Sequence, residues 1–181
     1  KNWGIKTFLD TIAESFPRPL ARKVEHIVDE DGNVSDIAID MDSSDTSIFV
    51  FKTVADPFVG KMSFFKVMNG TLAKDAVLKN STTGANEKLN KIFILRGKKQ
   101  IDVDELACGD IGVTAKLSNT NTNDTLTSVA GGIKYAPIVY PRPYFTMAIT
   151  PKAKGDEDKI SSGISKLLEE SSELRTHKYN K

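Results

Sequence analysis

Apolar residues near the start of the chain recur at helical spacing. They predict an amphipathic helix whose apolar face consists of Ile5, Phe8, Leu9, Ile12, Ala13 and Phe16. Pro17 and Pro19 end this helix, because proline lacks an N–H and disfavours helical geometry in the residue before it. A helix of about three turns is only marginally stable alone, so we expect its apolar face to pack against another surface.

From residue 47 to residue 129 the pattern changes to short apolar runs separated by turn residues. Strands are predicted over 48–51, 62–68, 92–95 and 111–117. Asn69-Gly70 predicts a tight hairpin turn. About six or seven strands without a helical period among them predict a mainly β fold, a small closed β-barrel or sandwich.

A third pattern begins at residue 130. Gly131-Gly132 and three prolines predict a linker over 130–143. A strand over Tyr144–Thr150 is predicted next, followed by a helix with acidic residues 156–158 in its first turn. One strand and one helix bury too little apolar surface to be stable alone, so we expect 144–181 to be the start of an incomplete domain.

Charge is distributed unevenly along a chain whose formal net charge is only +1. Seven acidic residues and no Lys or Arg lie between Asp29 and Asp45, whereas residues 46–130 carry 11 basic and 8 acidic residues. The acidic run lacks the ligand spacing of a calcium loop and is typical of a solvated turn between two strands. A modest cationic surplus therefore belongs to the predicted barrel.

Composition excludes several classes of protein. The 181 residues are 39% apolar and 27% charged, with a mean hydropathy of −0.28, which is typical of a globular chain and not of a disordered or membrane-spanning one. The single cysteine, Cys108, cannot form an internal disulfide, and this favours a reducing compartment. We therefore expect a cytoplasmic protein without a membrane partner.

The sequence predicts no catalytic, cofactor-binding or metal-binding residues. Gly60-Lys61-Met62-Ser63 is the best approximation to a phosphate-binding loop, but Ala55 stands at the first glycine position and Met62 separates the lysine from the hydroxyl residue. The two histidines, His26 and His177, lie at opposite ends of the chain without a neighbouring Cys or second His.

A basic run, Arg96-Gly97-Lys98-Lys99, lies between two apolar strands. Three cations on a glycine-containing loop can contact phosphate oxygens, so we predict that Arg96, Lys98, Lys99 and the nearby Lys88 contact RNA. The alternative interpretation is a solvated hairpin tip without a binding role.

The segment around the first long strand carries a family motif. Residues 51–61, FKTVADPFVGK, closely resemble the FK…DPFVGK signature that opens the second domain of bacterial elongation factor G. The similarity continues at Phe64, Val67, Gly70, Leu72, Gly109-Asp110-Ile111 and Asp124-Thr125-Leu126. Residues 1–10 resemble the last helix of that family's GTPase domain, and 149–152 resemble the start of its third domain. Residues 95–98 resemble the divergent second-type subgroup of the family.

The resemblance implies a fold and a division of the chain. The fold is mainly β, a translation-factor barrel of the elongation factor Tu domain 2 type, with an N-terminal helix and a C-terminal partial ferredoxin-like βα unit. The expected parts are 1–19 (last helix of a GTPase domain), 20–46 (acidic connection), 47–129 (barrel), 130–143 (linker) and 144–181 (start of the third domain). Within the motif, Asp56, Pro57, Phe58, Gly60, Lys61, Gly109 and Asp110 are expected to set loop geometry.

The resemblance also implies a function. It indicates part of a ribosome-binding translational GTPase of translation elongation, whose barrel contacts small-subunit ribosomal RNA and couples the GTPase domain to the other domains of the same protein. The motifs that bind GTP and Mg²⁺ are not in this sequence, so we expect no enzyme activity from it and no partnership with DNA. The alternatives are a stand-alone RNA- or protein-binding barrel, or part of a tetracycline-resistance protection or release-factor GTPase.

Overall fold

A computed structural model describes residues 2–18, 21–56, 58–153, 155–171 and 174–176, and it is mainly β with one helix towards each end. The helices are α1 (Ile5–Ser15) and α2 (Glu157–Glu170). The strands are β1 (Val24–Val28), β2 (Val34–Ala38), β3 (Ser47–Asp56), β4 (Gly60–Asn69), β5 (Thr71–Ala73), β6 (Val77–Asn80), β7 (Asn86–Lys88), β8 (Ile92–Arg96), β9 (Lys99–Val103), β10 (Glu105–Ala107), β11 (Ile111–Ala115) and β12 (Thr125–Thr127).

Eight strands form one antiparallel sheet in the order β7-β6-β12-β3-β4-β11-β8-β9, and β5 pairs with β10 in a separate two-stranded ribbon. The large sheet curls around a core to which both the sheet and the ribbon contribute. Its fully buried large side chains include Phe65, Ile48, Leu72, Leu89, Ile92 and Leu126. The predicted mainly β class, with a barrel-like sheet and an N-terminal helix, is confirmed.

The predicted hairpin at Asn69-Gly70 is wrong, and so is the number of strands. Asn69 pairs with Ser47 on β3, while β5, which follows Gly70, pairs with β10. Gly70 therefore forms a corner between two sheets; it has φ +63°, and a Cβ there would clash with the carbonyl oxygen of Asp45. Ten strands lie between 47 and 127 because β5, β7, β10 and β12 are three-residue strands too short to show a period.

The two long hairpins of the sheet point to opposite ends of the barrel. β3 and β4 are joined at one end, which we call the turn end, and Ala115 of β11 lies opposite Met62 near it. β8 runs away from the turn end, because it pairs antiparallel with β11, so Arg96 at its last position lies at the opposite end, the tip end. Five residues of strand separate the ends of β8 by about 13 Å.

The first three acidic residues of the run, Asp29, Glu30 and Asp31, lie in the predicted turn between two strands. β1 and β2 make a hairpin, and the Asp29 carboxylate accepts hydrogen bonds from the Asn33 backbone N–H (2.8 Å) and side-chain amide (2.9 Å). The side-chain hydrogen bond from Asn33 is the main reason that the pKa of Asp29 lies below its usual value. The turn thus satisfies its own carboxylate without a cation.

Part of the predicted linker is docked on the barrel. Tyr135 is buried, its hydroxyl lies 2.7 Å from Ser47 Oγ, and its N–H donates to Thr125 Oγ1 at 2.9 Å. The same segment is hydrogen-bonded to β1, since Val28 N–H donates to the Lys134 carbonyl and Ala136 N–H to the His26 carbonyl. Residues 133–138 therefore hold the β1–β2 hairpin against the barrel, and we call them the strap.

The predicted strand at Tyr144–Thr150 is wrong, whereas the helix after it is present as α2. Residues 144–150 form no ladder, and Tyr144, Phe145, Met147 and Ile149 are exposed. A strand is stabilised by hydrogen bonds to a neighbouring strand, and the described residues supply none here. The partial ferredoxin-like βα unit is thus represented by its helix alone.

Both helices are amphipathic but neither has a buried residue. On α1, Ile5, Phe8 and Leu9 are all exposed, so the apolar face predicted for this helix is present and has no cover within the described part of the chain. No helix among the described residues is long and apolar enough to span a membrane.

Candidate nucleic-acid interface

Arg96, Lys98 and Lys99 lie together at the tip of the β8–β9 hairpin, and we call them the tip cluster. Arg96 pairs with Lys99, and Gly97 between them has φ +62°, which allows the two-residue turn. All three side chains are exposed, and none forms an ion pair within the described residues. The structure therefore places three uncompensated cations on one protruding turn.

Lys88, the fourth predicted RNA contact, is not part of this cluster. It lies at the end of β7 with its Nζ 3.4 Å from Asp75 Oδ1. Its neighbours are also paired, Lys91 with Asp102 at 3.7 Å and Lys74 with Asp104. An open cleft of about 420 Å³ lies beside these pairs, and its lining includes Lys74, Lys91, Asp102 and Asp104. Each lysine of the cleft is paired with a carboxylate, so the positive and negative charges balance there. The cleft is therefore a poor binding site for phosphate.

The β3–β4 turn at the other end of the barrel is built around Asp56. Its Oδ1 accepts the N–H groups of Phe58 and Val59, both at 2.8 Å, and Gly60 closes the turn with φ +88°. These two hydrogen bonds, from Val59 and then Phe58, hold the pKa of the Asp56 carboxyl below its usual value. Pro57 of the family motif lies outside the described residues.

A second group of side chains lies beside this turn, of which Phe58 and Lys116 are exposed and Lys61 is half-buried. Phe58 projects from it with 95% of its surface exposed. Lys61 follows on β4, where its Nζ donates to Asn121 Oδ1 at 2.9 Å, and the Lys116 N–H donates to the Lys61 carbonyl at 2.8 Å. Neither lysine forms an ion pair within the described residues. We call Phe58, Lys61 and Lys116 the turn cluster.

Sequence reasoning missed the turn cluster because it assigned Phe58 and Lys61 to loop geometry alone and did not consider Lys116. The signal in the sequence was an aromatic residue inside a turn, directly before a glycine and a lysine. Lys116 could not have been found, since it is distant in sequence and reaches this site only through the pairing of β11 with β4.

Gly109 and Asp110 form a turn that connects two strands at the tip end. The Gly109 N–H donates to the Val67 carbonyl at 2.8 Å, and the Val67 N–H donates to the Asp110 carbonyl at 2.9 Å. The Asp110 carboxylate accepts the Ala107 N–H at 2.9 Å. These hydrogen bonds all lie within the barrel and hold the turn in place.

A buried polar network supports the loop that carries Asn121. The Asn80 side-chain amide donates to the Asn119 carbonyl (2.8 Å) and to Asp124 Oδ2 (2.9 Å), and the same carboxylate oxygen accepts the Asn121 N–H (2.8 Å). Glu87 Oε1 accepts the Asn119 N–H at 2.6 Å. The network fixes the loop whose Asn121 side chain positions Lys61.

The described residues contain no group of three or more His, Cys, Asp or Glu side chains arranged to hold a metal ion. His26 Nδ1 lies 2.6 Å from Asp36 Oδ1 on the neighbouring strand, and His177 lies outside the described residues. Cys108 is buried with its thiol directed to the Met68 carbonyl, and burial raises the pKa of that thiol. A raised pKa disfavours the nucleophilic thiolate.

Two models of known protein families match this chain. The family model described as elongation factor G domain 2 matches residues 45–129, and the model described as elongation factor G, domain III, matches residues 140–181. Together the two matches cover more than two thirds of the chain, in the order in which the domains are numbered. The chain belongs to the elongation factor G family. It therefore carries domains of a translation elongation factor, an assignment that the sequence motif predicted.

A solved structure shares the fold of this elongation factor G family chain. It is described as the crystal structure of ttk003000868 from Thermus thermophilus, with a TM-score of 0.71 and 22% sequence identity. The match covers 95% of this chain and 23% of the other, so the chain spans about a quarter of the length of that protein. The likeness establishes the fold of the barrel and its flanking helices.

Proposed function

We propose that this chain is the ribosome-binding and interdomain-coupling part of a translational GTPase that acts in translocation in the cytoplasm. The barrel, residues 47–129, contacts small-subunit ribosomal RNA. Residues 1–19 end a GTPase domain in which GTP and Mg²⁺ are bound, so the chain itself is not an enzyme. Residues 20–46 connect that domain to the barrel, and 130–143 lead to a third domain that starts at 144. The carrying observation is that the cations of the two clusters, at opposite ends of the barrel, form no ion pair within the described residues.

The tip cluster supports phosphate contact. Three cations on one turn present donors to phosphate oxygens without a competing carboxylate, and binding of this kind weakens as salt displaces the protein from the RNA. The backbone pairing of Arg96 with Lys99 fixes the turn, so little order has to be gained on binding.

The turn cluster supports a different contact, the stacking of an unpaired base. Phe58 is exposed on a turn that Asp56 holds rigid through two hydrogen bonds. An aromatic ring presented in this way stacks on bases of single-stranded RNA, and flanking lysines take the phosphates. Lys61 and Lys116 occupy those flanking positions.

The test is the affinity of the chain for purified small ribosomal subunits at several salt concentrations. Replacing Arg96, Lys98 and Lys99 by Ala should weaken binding and lower the salt slope by about one for each phosphate that is no longer neutralised. The matched control replaces Lys23, Lys79 and Lys152, three exposed lysines outside both clusters, and should leave the slope nearly unchanged. If the two triple variants changed affinity and salt slope equally, only the total charge of the chain would matter. The tip cluster would then be rejected as an RNA contact.

A separate variant tests the turn cluster. Phe58→Ala should weaken binding about 5- to 100-fold, the effect of losing one stacked base, with an unchanged salt slope because no cation is removed. Lys61→Gln with Lys116→Gln should instead lower the slope. A Phe58→Ala variant that binds small subunits like the unaltered chain would remove the turn cluster from the interface.

A further inference from the structure

We infer that the turn of residues 121–124 joins the strap to the turn cluster, so that the strength of RNA binding at Lys61 depends on whether Ile138 is attached to the barrel. The inference rests on the proposed function of the turn cluster and names its regulation. It comes from two side chains of one closed turn, of which Asn121 contacts Lys61 and Asn123 contacts Ile138.

The turn 121–124 is closed by its own hydrogen bonds. The Asp124 N–H donates to the Asn121 carbonyl at 3.2 Å, and the Asn121 N–H donates to Asp124 Oδ2 at 2.8 Å. Asn123 has φ +76°, a conformation that asparagine adopts more readily than most residues, and its N–H donates to the Val50 carbonyl at 2.7 Å. Because the turn is bonded across both ends, a shift of Asn123 changes the position of Asn121 as well.

At one end of this connection, Asn121 holds the side chain of Lys61. Asn121 Oδ1 accepts a hydrogen bond from Lys61 Nζ at 2.9 Å, and this is the only hydrogen bond of the Asn121 side chain among the described residues. A lysine ammonium has three N–H groups, so two are left for phosphate oxygens. A flexible lysine that is already held in place loses less entropy on binding RNA, which is worth about 2- to 10-fold in affinity.

At the other end, Asn123 holds the last residue of the strap. Asn123 Oδ1 accepts the Ile138 N–H at 2.9 Å, and Asn123 Nδ2 donates to the Ile138 carbonyl at 3.3 Å. Both backbone groups of Ile138 thus bond to one side chain. The family match to the third domain begins at residue 140, directly after this attachment. A displacement that reaches the barrel from that domain along the chain therefore acts on Ile138 first.

Ile138 can detach while the rest of the strap stays docked. Within the described residues its backbone N–H and carbonyl bond to Asn123 alone. Tyr135, by contrast, is buried and is held by Ser47 and Thr125. Local opening costs least where few buried contacts are lost, so the two hydrogen bonds to Asn123 open before the contacts of Tyr135. The connection thus has an attached and a released state, and the position of the chain at Ile138 selects between them.

Hydrogen exchange at the Ile138 amide reports this attachment without any RNA. Asn123→Gly removes both hydrogen bonds to Ile138 and tolerates the positive φ, so it should raise the exchange rate of this amide about 10-fold or more. Asn123→Asp retains an acceptor oxygen and should keep the amide protected. Asn119→Ala is the matched control, since that side chain forms no hydrogen bond among the described residues. An unchanged exchange rate in Asn123→Gly would reject the inference.

The affinity of the same variants for small ribosomal subunits tests the connection to Lys61. Asn121→Ala should lower affinity about 2- to 10-fold, Asn123→Gly should lower it by up to the same factor, and Asn119→Ala should leave it unchanged. In a Lys61→Gln background the effects of Asn121→Ala and Asn123→Gly should both disappear, because the ammonium that they position is gone. A general loss of stability would instead lower affinity equally in both backgrounds, and that result would overturn the inference.

The remaining outcomes separate the connection from the turn cluster itself. An exposed Ile138 amide in Asn123→Gly with unchanged affinity, while Lys61→Gln still weakens binding, would overturn the connection and leave the proposed function intact. Unchanged affinity in Asn121→Ala would do the same. If neither Lys61→Gln nor Phe58→Ala changes affinity, the turn cluster is rejected, and the connection with it.

Discussion

The barrel and the two helices use apolar residues in opposite ways. In the barrel, β3 and β4 alternate so that Phe65, Val67, Ile48 and Val50 meet in one core from which water is excluded. On α1 and α2 the spacing is equally regular, yet Phe8 and Leu167 remain exposed. Periodicity therefore reports which face of an element is apolar, and burial depends on whether a second surface is present to meet it.

The difference has a consequence for stability. A barrel with its own core carries most of the free energy of unfolding, whereas helices without buried residues contribute little. The strap is expected to contribute to stability together with the barrel, because Tyr135 is as buried as the side chains of the barrel core. The hydrogen bonds of the strap to the barrel continue as far as Ile138, whose N–H donates to Asn123 Oδ1.

The largest test of this contrast compares two phenylalanines. Phe65→Ala, at 0% exposure in the core, should lower the free energy of unfolding by about 3–5 kcal/mol, because the substitution removes a buried ring and leaves a cavity. Phe8→Ala, at 63% exposure on α1, should change it by less than about 0.5 kcal/mol. Urea unfolding followed by far-ultraviolet circular dichroism measures both. Similar losses in the two variants would mean that α1 is packed in solution.

A second comparison examines the strap. Tyr135→Phe removes the hydroxyl that meets Ser47 Oγ, and it leaves the fully buried Ser47 hydroxyl without that partner. We expect a loss of about 1–3 kcal/mol in the free energy of unfolding. Tyr144→Phe is the matched control in the exposed segment and should be neutral, since 96% of Tyr144 is exposed. Equal stability of the two variants would show that the strap does not depend on this hydroxyl contact.

Much of the barrel could be predicted from the sequence, because its longer strands carry a period of their own. The runs at 62–68 and 92–95 became β4 and β8. What could not be predicted depends on pairing between distant residues. Asn69-Gly70 has the local chemistry of a hairpin, but β4 is paired with β3 and β11 on its two sides, so β5 pairs with β10 instead.

Dependence on contacts between distant residues also explains which features of the candidate site and of the linker could not be predicted. The tip cluster is contiguous in sequence and was predicted, whereas the turn cluster is assembled by strand pairing and was not. Gly131-Gly132 predicted a linker, but no local pattern shows that Tyr135, a few residues later, meets Ser47 and Thr125. The run 144–150 has the composition of a strand and lacks a neighbour among the described residues, which no property of the run itself can reveal.

The smallest expected effect concerns the charge of Asp56 in the β3–β4 turn. The N–H groups of Val59 and Phe58 stabilise its ionised form, so its pKa in the folded chain lies below the ordinary value of 3.8. A group with a lowered pKa stabilises the fold fully above its unfolded pKa, and this contribution is lost as the pH falls through the folded pKa. Asp56→Asn keeps an acceptor oxygen in the turn but cannot ionise.

The unaltered chain should therefore be more stable than Asp56→Asn at neutral pH, and the difference should shrink between about pH 5 and pH 2. Thermal unfolding at a series of pH values measures this difference. Glu14→Gln on α1 is the control, because no described N–H donates to that carboxylate. The difference in stability between this variant and the unaltered chain should not shrink in the same way as the pH falls. A difference for Asp56→Asn that stays constant down to about pH 2 would mean that hydrogen bonding in the turn does not depend on the charge of Asp56.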